Sequence, residues 1–409
     1  MSRPRLFAPA VVRLKMLAPA CALLLAACSP PPAGDPLVEP ALSWVRQFHG
    51  GSESLPIGQG VAVDAVGNAY VVGSMYGKFG PDGAQLWLRG LPENTRGEAV
   101  AADGSGGAYF VGYQSSAGSW VEKRDALGNE AWRVAVTEPD GRLRAMGVAV
   151  TPTGDAVVTG SWTRGTTGMN PITFLATYSA RGAQKAFRLL PLPFDGEWFN
   201  EGWDVAVDAL GYVYVAGSAH DFNGARIAYL AKYDASGGEV WARRFSGGGH
   251  YTGAWGVAAN AAADRVCVTG WLSGVLEGQA SAGRGDAYVV CYDTSGTRLW
   301  MRQFGTDERD VGEGIAMDGA GNVFVAGTTE GTFGTSLGGL LGGGTDAFLA
   351  RYDREGVQTH LWEFGTLAGD RGYGVAADGA GNVYVTGNTW GSMWVGPVPG
   401  VFLVKLEGF

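Results

Sequence analysis

Residues 314–327, Gly-Ile-Ala-Met-Asp-Gly-Ala-Gly-Asn-Val-Phe-Val-Ala-Gly, contain the pattern that decides the fold. Two short apolar runs flank an Asp-Gly-Ala-Gly-Asn turn, and the second run ends on glycine. The pattern recurs as GVAADGAGNVYVTG at 374–387 and as GVAVDAVGNAYVVG at 60–73. Short β-branched and aromatic runs bounded by turn residues are typical of strands. Because Asp can cap the following amides and Gly accepts a positive φ, each copy predicts a β-hairpin.

This hairpin motif occurs seven times, and two further types of segment recur along the chain with it. The closing glycines of the motif are Gly73, Gly112, Gly160, Gly217, Gly270, Gly327 and Gly387. A third segment is clearest as Ala228–Asp234 (AYLAKYD). A fourth segment centres on an aromatic residue, namely Trp44, Trp87, Trp132, Phe187, Trp241, Trp300 and Trp362. Four strands in about 50 residues are typical of a propeller blade, so we predict an all-β, seven-bladed β-propeller of four-stranded antiparallel blades.

The two ends of the repeated region indicate how the ring closes. Residues 42–48 have the pattern of a fourth strand, and residues 401–407 have the pattern of a third strand. The last blade therefore lacks its outermost strand unless the N-terminal strand supplies it. We predict that residues 42–48 pair with residues 401–407 and complete the last blade.

Several of these segments also resemble a known repeat family. Gly314–Gly327, Gly374–Gly387 and Asp346–Asp353 (DAFLARYD) are similar to the bacterial SBBP-type β-propeller repeat. The resemblance covers most of residues 42–409 and implies a seven-bladed propeller in the cell envelope or at the cell surface. It implies no activity and supplies no catalytic residues.

The N-terminal segment predicts export and lipidation. Residues 1–15 carry only basic charges, and the apolar run 16–27 is too short to span a bilayer as a permanent helix. Leu25-Ala26-Ala27-Cys28 resembles the lipobox of bacterial lipoproteins, which implies cleavage before Cys28 and acylation of that residue. We expect a signal peptide at 1–27, a Pro-rich tether at 28–41 and the propeller at 42–409. By the same analogy, Ser29 favours the outer membrane, and an ordinary secretory signal is the alternative.

Composition restricts the classes of partner. The formal net charge is −9, which argues against nucleic acid because phosphate binding needs clustered Lys and Arg. Four His and four Cys in 409 residues leave little for a zinc site, so we expect no metal and no cofactor. We expect a monomer that is held at the membrane through Cys28.

Cys267 and Cys291 are the other cysteines of the mature chain. Cys267 takes the position of a buried aromatic residue, whereas Cys291 replaces a Lys or Arg. We therefore expect the two side chains to point to opposite faces of the blade and not to form a disulfide.

One position in each repeat predicts a ligand site. Directly before each first strand, a small residue precedes a residue of variable type, and the first strand of a blade lines the propeller axis. The variable residues are Gln59, Glu98, Met146, Trp203, Trp255, Glu313 and Tyr373. We expect these seven side chains to ring the mouth of the central channel. Nearby loops add Trp162, Trp198, Tyr251, Trp271, Trp390 and Trp394, although some of these rings could simply cover loop glycines.

Aromatic side chains beside a few carboxylates suit sugar stacking or a protein contact. We therefore expect a binding or scaffolding module for a protein or glycan partner. The alternative is a lyase or hydrolase that acts on polysaccharide or peptide at the channel mouth, with a histidine and Glu98 or Glu313 as acid and base. No spacing in the sequence links a histidine to a nucleophile, so we assign no catalytic residue.

Overall fold

A computed structural model of the chain describes residues 41–48, 58–138, 141–165, 170–190, 197–221, 224–339, 341–342, 344–393 and 399–408. The predicted signal peptide, Cys28 and residues 28–40 of the tether lie outside these ranges. Within these ranges, the structure contains no helix of the length and apolarity that a membrane crossing requires.

The described residues form seven sheets, each built from strands that are consecutive in the chain or that meet at its two ends. The N-terminal strand is β1 (Ala41–Phe48). Blade 1 contains β2 (Gly58–Val63), β3 (Ala69–Gly73), β4 (Met75–Phe79) and β5 (Gln85–Gly90). Blade 2 contains β6 (Thr95–Ala102), β7 (Ala108–Gln114), β8 (Gly118–Arg124) and β9 (Glu130–Ala135). Blade 3 contains β10 (Gly141–Val150), β11 (Ala156–Arg164), β12 (Ile172–Tyr178) and β13 (Gln184–Leu190).

The remaining blades follow the same plan. Blade 4 contains β14 (Glu197–Val207), β15 (Val213–Asp221), β16 (Arg226–Tyr233) and β17 (Glu239–Phe245). Blade 5 contains β18 (Tyr251–Ala259), β19 (Arg265–Ser273), β20 (Asp286–Asp293) and β21 (Arg298–Phe304). Blade 6 contains β22 (Asp310–Met317), β23 (Val323–Thr329), β24 (Ser336–Gly339), β25 (Asp346–Tyr352) and β26 (Gln358–Gly365). Blade 7 contains β27 (Asp370–Ala377), β28 (Val383–Thr389), β29 (Gly400–Glu407) and β1.

The predicted seven-bladed ring is confirmed. The innermost strands β2, β6, β10, β14, β18, β22 and β27 each contact the next, and β27 contacts β2 to close the circle. We use "mouth face" for the side on which these innermost strands begin, and "turn face" for the side on which they end in short turns such as Asp64–Gly67. Apolar clusters lie between adjacent blades, because each sheet can bury its two faces only against its neighbours.

The predicted closure by the N-terminal strand is confirmed as well. β1 runs antiparallel to β29, with Ala41 opposite Glu407 and Phe48 opposite Val401. The indole of Trp44 donates a hydrogen bond to Pro81 O of blade 1 (2.9 Å), and Phe48 stacks on Phe79 with ring centroids 5.1 Å apart. The N-terminal strand therefore pairs with blade 7 through its backbone and contacts blade 1 through its side chains.

Near the turn face, one residue on each of the three outer strands pairs directly across the sheet. Four blades have a Tyr-Lys-Trp set, namely Tyr70–Lys78–Trp87, Tyr109–Lys123–Trp132, Tyr214–Lys232–Trp241 and Tyr384–Lys405–Trp44. The other sets are Val157–Thr177–Ala186, Cys267–Cys291–Trp300 and Phe324–Arg351–His360. We refer to these residues as the outer triplets.

The outer triplets correct two aromatic assignments. Phe187 and Trp362 are not the equivalents of the fourth-strand tryptophans, because Ala186 and His360 occupy that register. A one-residue offset puts a side chain on the opposite face of a strand, so Phe187 instead stacks on Phe174 with centroids 5.6 Å apart.

The expectation that Cys267 and Cys291 are not bonded is wrong. The two residues face each other directly on β19 and β20, with Cα atoms 4.1 Å apart, and their sulfurs form a disulfide. Directly opposed residues of an antiparallel pair lie on the same face, whatever residue types fill those positions in other blades.

Blade 6 has one strand that the repeat did not predict. β24 pairs in parallel with the outer strand β26, with Ser336 opposite Glu363. β24 therefore runs along the outer edge of blade 6.

Candidate functional site at the channel mouth

The seven variable residues share one structural feature. In every blade the pairing register between the first and second strands shifts at this residue, so each is the extra residue of a β-bulge. A bulge bends the strand and redirects the side chain that it carries. The bulge therefore explains why this position varies in type while its neighbours remain small.

All seven bulge residues line one cavity of about 220 Å³ on the axis: Gln59, Glu98, Met146, Trp203, Trp255, Glu313 and Tyr373. The structure thus brings together the complete predicted set. Cavities that bind small groups are often concave, partly apolar and equipped with a few convergent polar groups.

The residue after each bulge sits where neighbouring innermost strands come closest. It is glycine in five blades, and a Cβ on Gly314 would lie 2.6 Å from Tyr373 O of the next blade. Blade 4 has Asp204 at this position instead. The carboxylate of Asp204 accepts hydrogen bonds from the amides of Val205 (2.8 Å) and Val257 (2.9 Å), which belong to adjacent blades.

Asp204 is a cavity-lining residue that the sequence reasoning missed. The sequence contains a signal for it, because the residue after the variable position is glycine or alanine in the other six repeats and aspartate here. Burial raises the pKa of Asp204 to about 7, although the two backbone hydrogen bonds oppose this shift. The carboxyl group therefore titrates near neutral pH inside the cavity.

Glu313 is the second acid of the cavity whose pKa is raised. Burial raises the pKa of Glu313 to about 8, and the guanidinium groups of Arg309 and Arg371 only partly oppose this rise. Glu98, the third cavity acid, forms ion pairs: its carboxylate lies 3.6 Å from the guanidinium of Arg96 and 3.5 Å from that of Arg144. The rim thus combines an ion-paired acid with a largely desolvated one.

We expect Glu313 to give the fold a measurable dependence on pH. A folded-state pKa of about 8 exceeds the ordinary value of 4.5, so the free energy of unfolding should fall as pH rises from 4.5 to 8. Glu313→Gln should remove this contribution. Urea unfolding across that range would measure the difference between the wild type and the variant.

Glu130→Gln is the control for this comparison, because Glu130 is an exposed acid on the outer strand of blade 2. The prediction is wrong if the wild type and Glu313→Gln show the same pH dependence.

Aromatic side chains extend the site from the cavity towards blade 5. Trp255 contacts Trp271 edge-on at 6.5 Å, and Trp271 stacks on Tyr251 at 4.4 Å. The guanidinium of Arg309 lies over Trp271, 4.5 Å from its centroid. Among the described residues, the buried indole N–H groups of Trp203 and Trp255 have no hydrogen-bond partner.

The other loop aromatics divide into two groups. Trp162 covers Gly141 and does not line the cavity, and Trp390 lies beside Gly369 with Arg371 over its ring. These two rings therefore cover loop glycines and do not form part of the cavity. The side chain of Trp198 and all of Trp394 lie outside the described residues.

A basic groove adjoins the cavity on the opposite side. It has a volume of about 520 Å³ and lies between blades 2, 3 and 4. Its basic lining residues are Arg96, Arg142 and Arg144, and it shares Glu98 with the cavity. The mouth face therefore offers aromatic rings on one side and guanidinium groups on the other.

Within the described ranges, no group of three or more His, Cys, Asp or Glu side chains is arranged to hold a metal ion.

Comparisons with known proteins agree with this architecture. The SBBP beta-propeller repeat matches residues 43–77, 299–334 and 363–392. Three segments of the chain thus match this repeat. The matched SBBP segments include strands of blades 1, 5, 6 and 7 and the N-terminal strand β1. No curated protein sequence matches the chain.

Solved structures resemble the seven-bladed ring at low sequence identity. The Pan2 WD40 domain of Neurospora crassa is 11% identical, with a TM-score of 0.54 over 90% of this chain and 95% of that one. A chain of the mitotic checkpoint complex is 10% identical, with a TM-score of 0.52 over 92% and 96%. BamB from Moraxella catarrhalis is 15% identical, with a TM-score of 0.44 over 86% and 85%. At these identities the likeness concerns the fold alone.

Proposed function

We propose that this protein is a noncatalytic binding module that receives a protein or glycan partner at the channel mouth. The observation that carries the proposal is the convergence of seven bulge side chains on one cavity. A rigid ring presents these residues at fixed positions, so their variety can be used for recognition without changing the fold.

The chemistry of the mouth face favours a partner with both flat apolar and acidic groups. Trp203 and Trp255 offer ring faces, and their unpaired indole N–H groups could donate to a carbonyl or hydroxyl of the partner. The neighbouring guanidinium groups of Arg142 and Arg144 would attract carboxylates. A peptide loop with acidic residues, or a glycan with uronic acids, has both kinds of group.

We further propose that the protein acts in the bacterial envelope. The basic segment, the short apolar run and the lipobox-like sequence before Cys28 support export and lipid anchoring at that cysteine. The proposed tether at 28–41 would then separate the propeller from the outer membrane. Radiolabelled palmitate incorporation that is lost in Cys28→Ala would test the anchor.

The binding site is tested by the double variant Trp203→Ala/Trp255→Ala. We expect a loss of affinity of roughly 100-fold, because aromatic residues at the centre of an interface carry much of its energy. The full chain would be screened on a glycan array and against immobilised envelope proteins, and the affinity for any hit would then be compared between variants. Circular dichroism would confirm that the variant is folded.

Trp162→Ala is the matched control, because Trp162 is a tryptophan near the same face that does not line the cavity. The proposed site is wrong if the double variant binds as the wild type does, or if Trp162→Ala alone abolishes binding.

An enzyme remains the second candidate because two acids with raised pKa values, Asp204 and Glu313, line the same cavity. A group that titrates near neutral pH suits proton transfer. If Glu313→Gln binds a glycan or peptide normally but no longer cleaves it, the enzyme is supported. Normal binding with no cleavage by the wild type supports the binding module.

A further inference from the structure

Blade 3 differs from the other blades throughout its outer triplet. Its three residues are Val157, Thr177 and Ala186, whereas four blades have Tyr, Lys and Trp at these positions. All three substitutions in blade 3 are to a smaller side chain. They lie directly opposite one another on adjacent strands, so the lost volume is contiguous.

A cleft of about 510 Å³ occupies this place between blades 3 and 4 at the turn face. Val157, Thr177 and Ala186 line it together with Leu175 and Val213. The turn Asp234–Gly237 and the exposed Leu210 form its outer edge, and a Lys185–Asp155 ion pair (2.6 Å) lies beside it. The cleft is therefore apolar at its floor and polar at its entrance.

Other blades show what normally fills such a cleft. In five blades, a fourth-strand indole lies against the third-to-fourth turn of the next blade and donates to a backbone carbonyl there. These hydrogen bonds are Trp44 to Pro81 O, Trp87 to Ala126 O, Trp132 to Ala180 O, Trp241 to Thr294 O and Trp300 to Arg354 O, at 2.9–3.2 Å. The same rings cover the turn glycines Gly83, Gly128, Gly182, Gly296 and Gly356.

The blade 4 turn keeps the features that receive an indole. Gly237 has the positive φ of its equivalents (80°), and Ala235 O corresponds to the carbonyl that accepts the indole N–H. Among the described residues, no side chain donates to Ala235 O, whereas each of the five equivalent carbonyls accepts from a tryptophan.

Blade 3 also keeps the arginine that accompanies the indole in other blades. Arg46, Arg243 and Arg302 each follow a tryptophan by two residues and place the guanidinium 5.4–6.0 Å from its ring. Arg188 follows Ala186 by the same interval, and its Cδ now lies 2.7 Å from where a Cβ on Gly237 would be. Arg188 covers Gly237 where the other blades have an indole ring over the turn glycine. Because the arginine side chain is flexible, it could move aside for an indole.

We propose that the cleft between blades 3 and 4 binds the tryptophan side chain of a partner polypeptide. The indole N–H would donate to Ala235 O, the ring would lie over Gly237 against Val157, and the guanidinium of Arg188 would lie beside it. The proposal commits to an indole because this chain itself places one at five equivalent positions. It does not depend on the proposed function, since this cleft lies on the opposite face from the channel mouth.

The test uses N-acetyl-tryptophanamide and a Trp-containing peptide as probes, with N-acetyl-leucinamide as the negative control. NMR titration of the full chain should show saturable shifts at Ala186, Ala235 and Gly237 with both tryptophan probes. Stronger binding of the peptide than of the amide would identify a polypeptide as the source of the indole. Equal binding of the two probes would overturn the polypeptide assignment.

Ala186→Trp should fill the cleft from within and weaken binding of the probes by roughly tenfold or more. If that variant does not fold, Val157→Tyr fills the floor of the cleft with the residue found in four other blades. Trp203→Ala/Trp255→Ala should bind the probes as the wild type does. Absence of saturation in the wild type, or undiminished binding by the filled variant, would overturn the proposal.

Discussion

A chain that lacks residues 41–48 is expected to lose most of its folding stability. The deletion removes β1, the outer strand of blade 7, together with the buried rings of Trp44 and Phe48. Removing one buried large aromatic side chain usually costs about 3–5 kcal/mol, so two give roughly 6–10 kcal/mol. Because native domains are stable by only about 5–15 kcal/mol, the open ring should be marginal.

Thermal unfolding followed by circular dichroism would measure this loss. A synthetic peptide with the sequence of residues 41–48 should restore part of the melting temperature when it is added to the truncated chain. Ser43→Ala is the control within the same strand, because Ser43 makes only an exposed hydrogen bond to Glu407 (3.0 Å). An unchanged melting temperature in the truncated chain would show that β1 does not hold the ring together.

The sequence was sufficient to predict the ring closure. The last repeat lacks its fourth strand, and a strand of that type precedes the first repeat. The pattern of residues 42–48 matches the fourth strands of blades 1, 2, 4 and 5, and only blade 7 lacks a fourth strand from its own end of the chain. Ring closure is thus a matter of counting complete units, which an internal repeat makes possible without coordinates.

The rim residues were also predictable, although the reason for their position was not. A small residue before a variable one recurs once in each first strand, and this pattern is visible in the sequence. That the variable residue is a β-bulge depends on the pairing register, which shifts between Gly312 and Gly314, for example. Register is a property of two strands together and cannot be read from one.

The two wrong predictions, the strand position of Phe187 and the absence of a disulfide, have the same origin. Phe187 has the aromatic character of the fourth-strand tryptophans, yet the residue that pairs with Thr177 is Ala186. The disulfide was rejected from the residue types at two positions, yet the register places Cys267 directly opposite Cys291. In both cases the residue types pointed one way, and the pairing register of the neighbouring strands decided the outcome.

The glycines that follow the bulges give the second large prediction. A Cβ on Gly314 would lie 2.6 Å from Tyr373 O, and one on Gly374 would lie 3.0 Å from Val61 N of blade 1. These contacts are with the backbone of the next blade, which cannot turn away as a flexible side chain can. Gly314→Ala/Gly374→Ala should therefore cost roughly 2–6 kcal/mol, the sum of two overpacked sites.

The same repeats contain a matched control, because Gly319 and Gly379 each follow the first strand and have nothing within 4 Å of an added Cβ. Gly319→Ala/Gly379→Ala makes the same chemical change in the same two blades and should be neutral or stabilising by about 1 kcal/mol. Urea unfolding of the two double variants would compare them. The axial variant should also weaken binding at the mouth face, because the displaced backbone carries the rim residue Tyr373. If both pairs of substitutions have equal effects, the innermost strands are not in close contact at the axis, and the rim lacks the rigid support that its recognition role requires.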